Sequence, residues 1–150
     1  MSNPPMFGSV VPLDRELHKK LHLRTDLSTV DKIKELNSLF LTTVEFSEAC
    51  KEFPIVFVRV GEAPKDGGKQ AVAPLVVLGL KPGHNLFIKD GLWEDEAYIL
   101  AYLRRHPFIF IDTGAENDFL LGIDVETPRV VKGGEEGQPL FVDGKPTEMV

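Results

Sequence analysis

Twice in this chain a proline closes an amphipathic stretch and opens an apolar one, and no other feature limits the available folds as much. The first instance is residues 42–60, TTVEFSEACKEFPIVFVRV, and the second is residues 95–113, DEAYILAYLRRHPFIFIDT. KEFPIVFV aligns on RRHPFIFI without a gap. A proline ring forces the residue before it out of helical geometry, so each stretch reads as a short helix, a stop and a strand. In the first, Thr42 and Glu45 form a T-x-x-E capping box, and Phe46, Ala49, Cys50 and Phe53 follow as one apolar stripe. In the second, Asp95 is the expected N-cap, with Glu94 and Glu96 adding negative charge to the first turn. Tyr98, Ile99, Tyr102 and Leu103 supply its apolar side, and Arg104, Arg105 and His106 complement the dipole at its end. Residues 55–60 and 108–111 are β-branched and aromatic, as buried central strands are. The echo has two readings. Any helix that ends at a proline before a buried strand looks like this, or the chain holds two similar halves.

The remaining segments supply the rest of a sheet. Strand-like runs lie at 9–13, 38–41, 71–80, 85–89, 119–125 and 139–142. Pro12 places the first at a sheet edge, because it has no amide to donate. Residues 14–23 read either as a helix capped by Asp14 or as a turn leading into an extended LHL. In residues 25–37, Val30, Ile33 and Leu36 recur every third position, a short helix with Asp26 or Ser28 as its cap. Asp90-Gly91 and Asp143-Gly144 are turn signals, and Leu78-Gly79-Leu80 is echoed by Leu121-Gly122-Ile123. The expected fold is α+β: a single domain over 1–150, with a largely antiparallel or mixed sheet covered by two Pro-terminated amphipathic helices around one core. Residues 1–8 and 127–138 are expected to be loose or loop-rich.

Charge excludes some functions. With 23 acidic against 17 basic residues the net charge is −6, and no lysine- or arginine-rich run occurs, which argues against a nucleic-acid partner. One cysteine, Cys50, cannot form an internal disulfide, and on the apolar stripe it is expected to be a buried, unreactive thiol. No apolar run has the ~20 residues a membrane helix needs. The first residues lack the charge and apolar pattern of a signal peptide, so the expected address is the cytoplasm.

Candidate chemistry is sparse. His18 and His22 stand at i, i+4, the spacing that holds a metal on one helix face, but no third ligand is placed near them and two lysines intervene. Solvated histidines are the better reading, and no metal or cofactor is implied. His84 sits at a Pro-Gly corner beside Asn85, and Trp93 follows a turn close to Tyr98. His84, Asn85, Trp93, Tyr98, Tyr102 and Arg105 are the candidate ligand or partner surface.

The order of EFPIVFV, LVVLGLKPGHNLFI, DGLW and AYLRRHPFIF resembles the SapC family of bacterial proteins. So do Val11-Pro12-Leu13 with His18 near the start and Pro139-Leu140-Phe141 with Asp143-Gly144 near the end. The resemblance covers most of the chain. It implies an association with paracrystalline surface layers and no catalytic residue set. Members are often longer, so the expectation is a short member or one lacking a C-terminal segment. The leading functional expectation is a non-enzymatic binding or assembly protein with a protein partner or self-association. The alternative is an accessory or small-molecule-binding subunit with a pocket near His84, Trp93 and Tyr98. A surface-layer role would place the protein at the cell surface by export that does not read a signal peptide.

Overall fold

The computed structural model describes residues 5–26, 31–94, 96–133 and 136–150. In chain order the strands are β1 (Val10–Pro12), β2 (Leu21–Leu23), β3 (Ser38–Phe40), β4 (Ile55–Arg59), β5 (Val72–Val77), β6 (Ile88–Lys89) and β7 (Leu92–Trp93). There follow β8 (Phe108–Asp112), β9 (Phe119–Asp124), β10 (Val130–Lys132), β11 (Gln138–Pro139), β12 (Phe141–Val142) and β13 (Lys145–Pro146). Among the described residues, helix is confined to α1 (Phe46–Ala49), α2 (Ala101–Arg104) and two 3-10 turns, Asp31–Glu35 and Thr43–Glu45. The backbone divides into two compact units, Asp31–Arg104 and the paired segments Met1–Val30 and Arg105–Val150.

In the Asp31–Arg104 unit a three-stranded antiparallel sheet runs in the order β3-β5-β4. Register sorts its side chains by face. Leu39, Val76 and Ile55 form one row turned to the core, where Val76 has no exposed surface. Pro74 stands in the central strand, yet its carbonyl accepts from Leu41 N at 3.0 Å just past the end of β3, so its missing donor faces no ladder partner. The core is completed by Phe53, Phe87 and Trp93, with Phe53 and Phe87 centroids 4.5 Å apart and Phe87 stacked on Trp93 at 5.8 Å. The β6–β7 hairpin turns at Asp90 and Gly91, with φ of 53° and 82°, the left-handed pair a type I′ turn needs. Gly79 follows β5, where a Cβ would lie 1.7 Å from the His84 carbonyl oxygen. Only glycine lets the 81–85 loop close down there.

The other unit holds two small sheets, β1-β9-β8 and β10-β2-β11, and the β12–β13 hairpin. Leu21, Leu23, Ile123 and Leu140 form its buried centre, with Phe108, Val125 and Val130 packed around them. Pro12 lies on the edge strand β1, where a missing amide is tolerated. Two buried ionisable groups tie loops to this core. Asp124 accepts the amides of Gly8 at 2.7 Å, Ser9 at 3.1 Å and Glu126 at 3.1 Å. Arg129 donates to the carbonyls of Arg24 and His106, and burial pulls its guanidinium pKa below the ordinary arginine value.

The expected α+β fold with two covering helices is therefore corrected: the protein is mostly strand, arranged as several small antiparallel sheets. The first helix stops at Ala49, preceded by a 3-10 turn, and Cys50 is exposed rather than buried. The second begins only at Ala101, because Glu45 caps it there, and the expected cap Asp95 lies outside the described residues. Residues 14–23 form a turn and β2, the second of the two readings; His18 and His22 do not share a helix face. In the 25–37 segment the 3-10 turn Asp31–Glu35 buries Ile33, while Ser28 and Val30 fall outside the described residues. β4 and β8 are edge strands, not central ones, and belong to different sheets in different units. Their expected common core is corrected too: Phe57 is 64% and Phe110 71% exposed.

Candidate functional site

Of the six residues singled out in the sequence, five lie in the Asp31–Arg104 unit and Arg105 in the other. Asn85 is buried and used internally: its Nδ2 donates to Ile33 O at 3.0 Å and its Oδ1 accepts from Phe87 N at 2.9 Å. Trp93 is buried against Phe87, with its Nε1 donating to Ala97 O at 3.3 Å. Those contacts bring Asn85, Phe87 and Trp93 together as one packed group. His84 is exposed on the loop that covers Gly79. Tyr98 and Tyr102 are half-buried, and the Arg104 guanidinium lies 5.3 Å from the Tyr98 ring centroid. Arg105 is exposed, with its guanidinium 5.8 Å from the Phe7 ring centroid.

The polar centre near Tyr98 is Glu45, which is buried. Its Oε1 accepts from Ala101 N at 2.6 Å and from Tyr98 Oη at 3.2 Å, and its Oε2 accepts from Thr42 Oγ1 at 2.7 Å and Thr42 N at 3.3 Å. Burial by itself would raise the pKa of this carboxyl. The donors from Ala101, Thr42 and Tyr98 outweigh that and hold it below the usual glutamate value. A carboxylate kept ionised by four donors inside its own unit is a fixed anchor. Glu52 completes the arrangement by accepting Tyr98 N at 2.8 Å.

The surfaces left open are apolar, and sequence reasoning assigned most of their residues to the interior. On the outer face of the β3-β5-β4 sheet, Phe40, Leu75 and Val56 stand in one register row. Phe40 is 54% and Val56 41% exposed. In the β8–β9 hairpin Phe110 and Phe119 meet edge to face at 6.4 Å, and both are more than half exposed. Leu120 is exposed on the opposite face of that hairpin. Runs such as IVFV and FIFI, apolar on both faces, are the signal available in the sequence. That pattern does not tell a strand covered within its own chain from one left open for another.

Fold and surface together define a small antiparallel β protein whose sheets expose apolar edge strands. Residues 13–150 match the SapC family, nearly the whole length of the chain. The chain belongs to the SapC family. No curated protein and no solved structure matches it. No described helix is long and apolar enough to cross a membrane.

Proposed function

We propose that this SapC family member is a binding and assembly protein that pairs with other protein chains through the open apolar surfaces of its edge strands. One observation carries the reading: Phe40 and Val56 lie in a single row on the outer face of a sheet, next to an edge strand with no further neighbour among the described residues. Exposed apolar rows of this kind mark protein–protein contacts, and an edge strand offers backbone groups to a partner strand. Phe110 and Phe119 on the edge hairpin of the other unit support it.

Sedimentation equilibrium over a range of concentrations tests this, with Phe40→Glu and Val56→Glu as variants. Both side chains are only about half exposed, so circular dichroism and urea unfolding check that each variant folds, with a stability loss of about 1–2 kcal/mol expected. Self-association weakened at least about tenfold in both variants is the expected result. A wild-type chain that stays monomeric, and that binds no protein from its host through this face, would sink the proposal. The partner implied by the family resemblance is a component of a bacterial surface layer. Fractionation of the host tests that part separately, and recovery only from the cytosol would remove it.

A further inference from the structure

The unit formed by Met1–Val30 and Arg105–Val150 carries a feature that assembly does not use, an open cavity of about 570 Å³. That volume is within the range of sites that hold small molecules. Val11, Leu17, Leu21 and Val125 make its apolar walls. Leu21 belongs to the buried centre of the unit, and Val125 packs against it. Lys20, Lys132 and His18 line the same cavity.

Strand pairing places the two lysines. Lys132 ends β10 opposite Leu21, and Gly133 N donates to Lys20 O at 2.9 Å. His18 is placed by a turn that Asp14 organises. The Asp14 carboxylate accepts the amides of Glu16 and Leu17, both at 2.8 Å. Asp14 N donates to His18 Nδ1 at 2.9 Å, which leaves the ring's N–H on Nε2. Lys19 pairs with Glu16, whereas neither Lys20 nor Lys132 forms an ion pair with a described residue. No carboxylate is among the described lining residues. In a chain of net charge −6, two lysines without a carboxylate partner among the described residues, beside an apolar cavity, form a local exception to the overall charge.

We propose that this cavity binds a small amphiphilic anion, a hydrocarbon body with a carboxylate or similar head. The walls take the body, Lys20 and Lys132 meet the charge, and the His18 N–H supplies a further donor. The proposal does not depend on the assembly reading.

Titration calorimetry of the full chain at low salt tests it, using decanoate, with decanol and acetate as controls. Decanoate is expected to bind at one equivalent, with decanol and acetate each at least about tenfold weaker. Lys20→Gln and Lys132→Gln are expected to weaken decanoate by about tenfold each, and Lys19→Gln to leave it unchanged. All three substitutions are at exposed positions, and circular dichroism checks that the variants fold. Failure to bind decanoate overturns the proposal. So does equal binding of decanol, or an equal loss in all three lysine variants. Phosphatidylglycerol vesicles test whether the anion is a lipid. Retention on vesicles that decanoate displaces places a lipid in the cavity, and retention without any decanoate binding overturns the site.

Discussion

Glu45 receives hydrogen bonds at the start of two helical segments at once, from Thr42 before the first and from Ala101 at the second, with the Tyr98 hydroxyl as a further donor. Replacing it with alanine strands those donors in a buried site, so Glu45→Ala is expected to cost about 2–4 kcal/mol by urea unfolding at neutral pH. Its pKa is lowered on folding, which fixes the sign of the pH dependence. The stability it supplies is complete above the ordinary glutamate pKa and is lost as the pH falls through the lower folded value. The stability gap between wild type and Glu45→Gln is therefore expected to be constant from neutral to mildly acid pH and to shrink below that. A gap that widened in acid would contradict this placement of the charge. The capping box made Glu45 legible in the sequence, because its partner Thr42 is three residues away. Its bond to Ala101 was not legible, since that pairing depends on how the segments fold together. The spacing puts Cys50 on the apolar stripe, yet it is exposed although its amide still donates to Phe46 O at 3.0 Å, so helical phase alone does not decide burial here.

At the scale of elements, the sequence echo corresponds to a shared strand order. β3-β5-β4 and β1-β9-β8 are both antiparallel triplets in which the last strand in sequence sits in the middle. The Pro-terminated helices supply the first letters of the echo, and the edge strands β4 and β8 supply the rest. The matching glycines do different work. At Gly79 a Cβ would strike the backbone of His84, while at Gly122 it would meet the side chains of Ile111 and Val10, nearest at 2.6 Å. A backbone cannot step aside as a side-chain tip does. Gly79→Ala is therefore expected to lower stability by about 3 kcal/mol and Gly122→Ala by about 1 kcal/mol in thermal unfolding. The reverse order would contradict the packing described. The longer strands and both Asp-Gly hairpin turns are legible, because turn chemistry and β-branched runs are local, whereas β7, β10 and β13 are not, and β10 falls in the 127–138 segment expected to be loop-rich. Which strand lies at an edge is not legible either, because that depends on partners far along the chain.

For the molecule as a whole, the family membership spans both compact units, and the open apolar surfaces occur in each. The candidate surface expected around His84 and Trp93 turned on aromatic and loop residues, and the structure buries Asn85 and Trp93 in packing of their own unit. Apolar residues assigned to the interior are instead the ones left open, because hydropathy records a preference for burial and not the chain that provides it. The central claim is that these surfaces are completed by another chain. Hydrogen exchange compared between dilute and assembled protein tests it most directly. The account predicts that amides of Ile55–Arg59 and Phe108–Asp112 slow on assembly while those of the central strands β5 and β9 keep their rates. Unchanged exchange along both edge strands in the assembled state would contradict it.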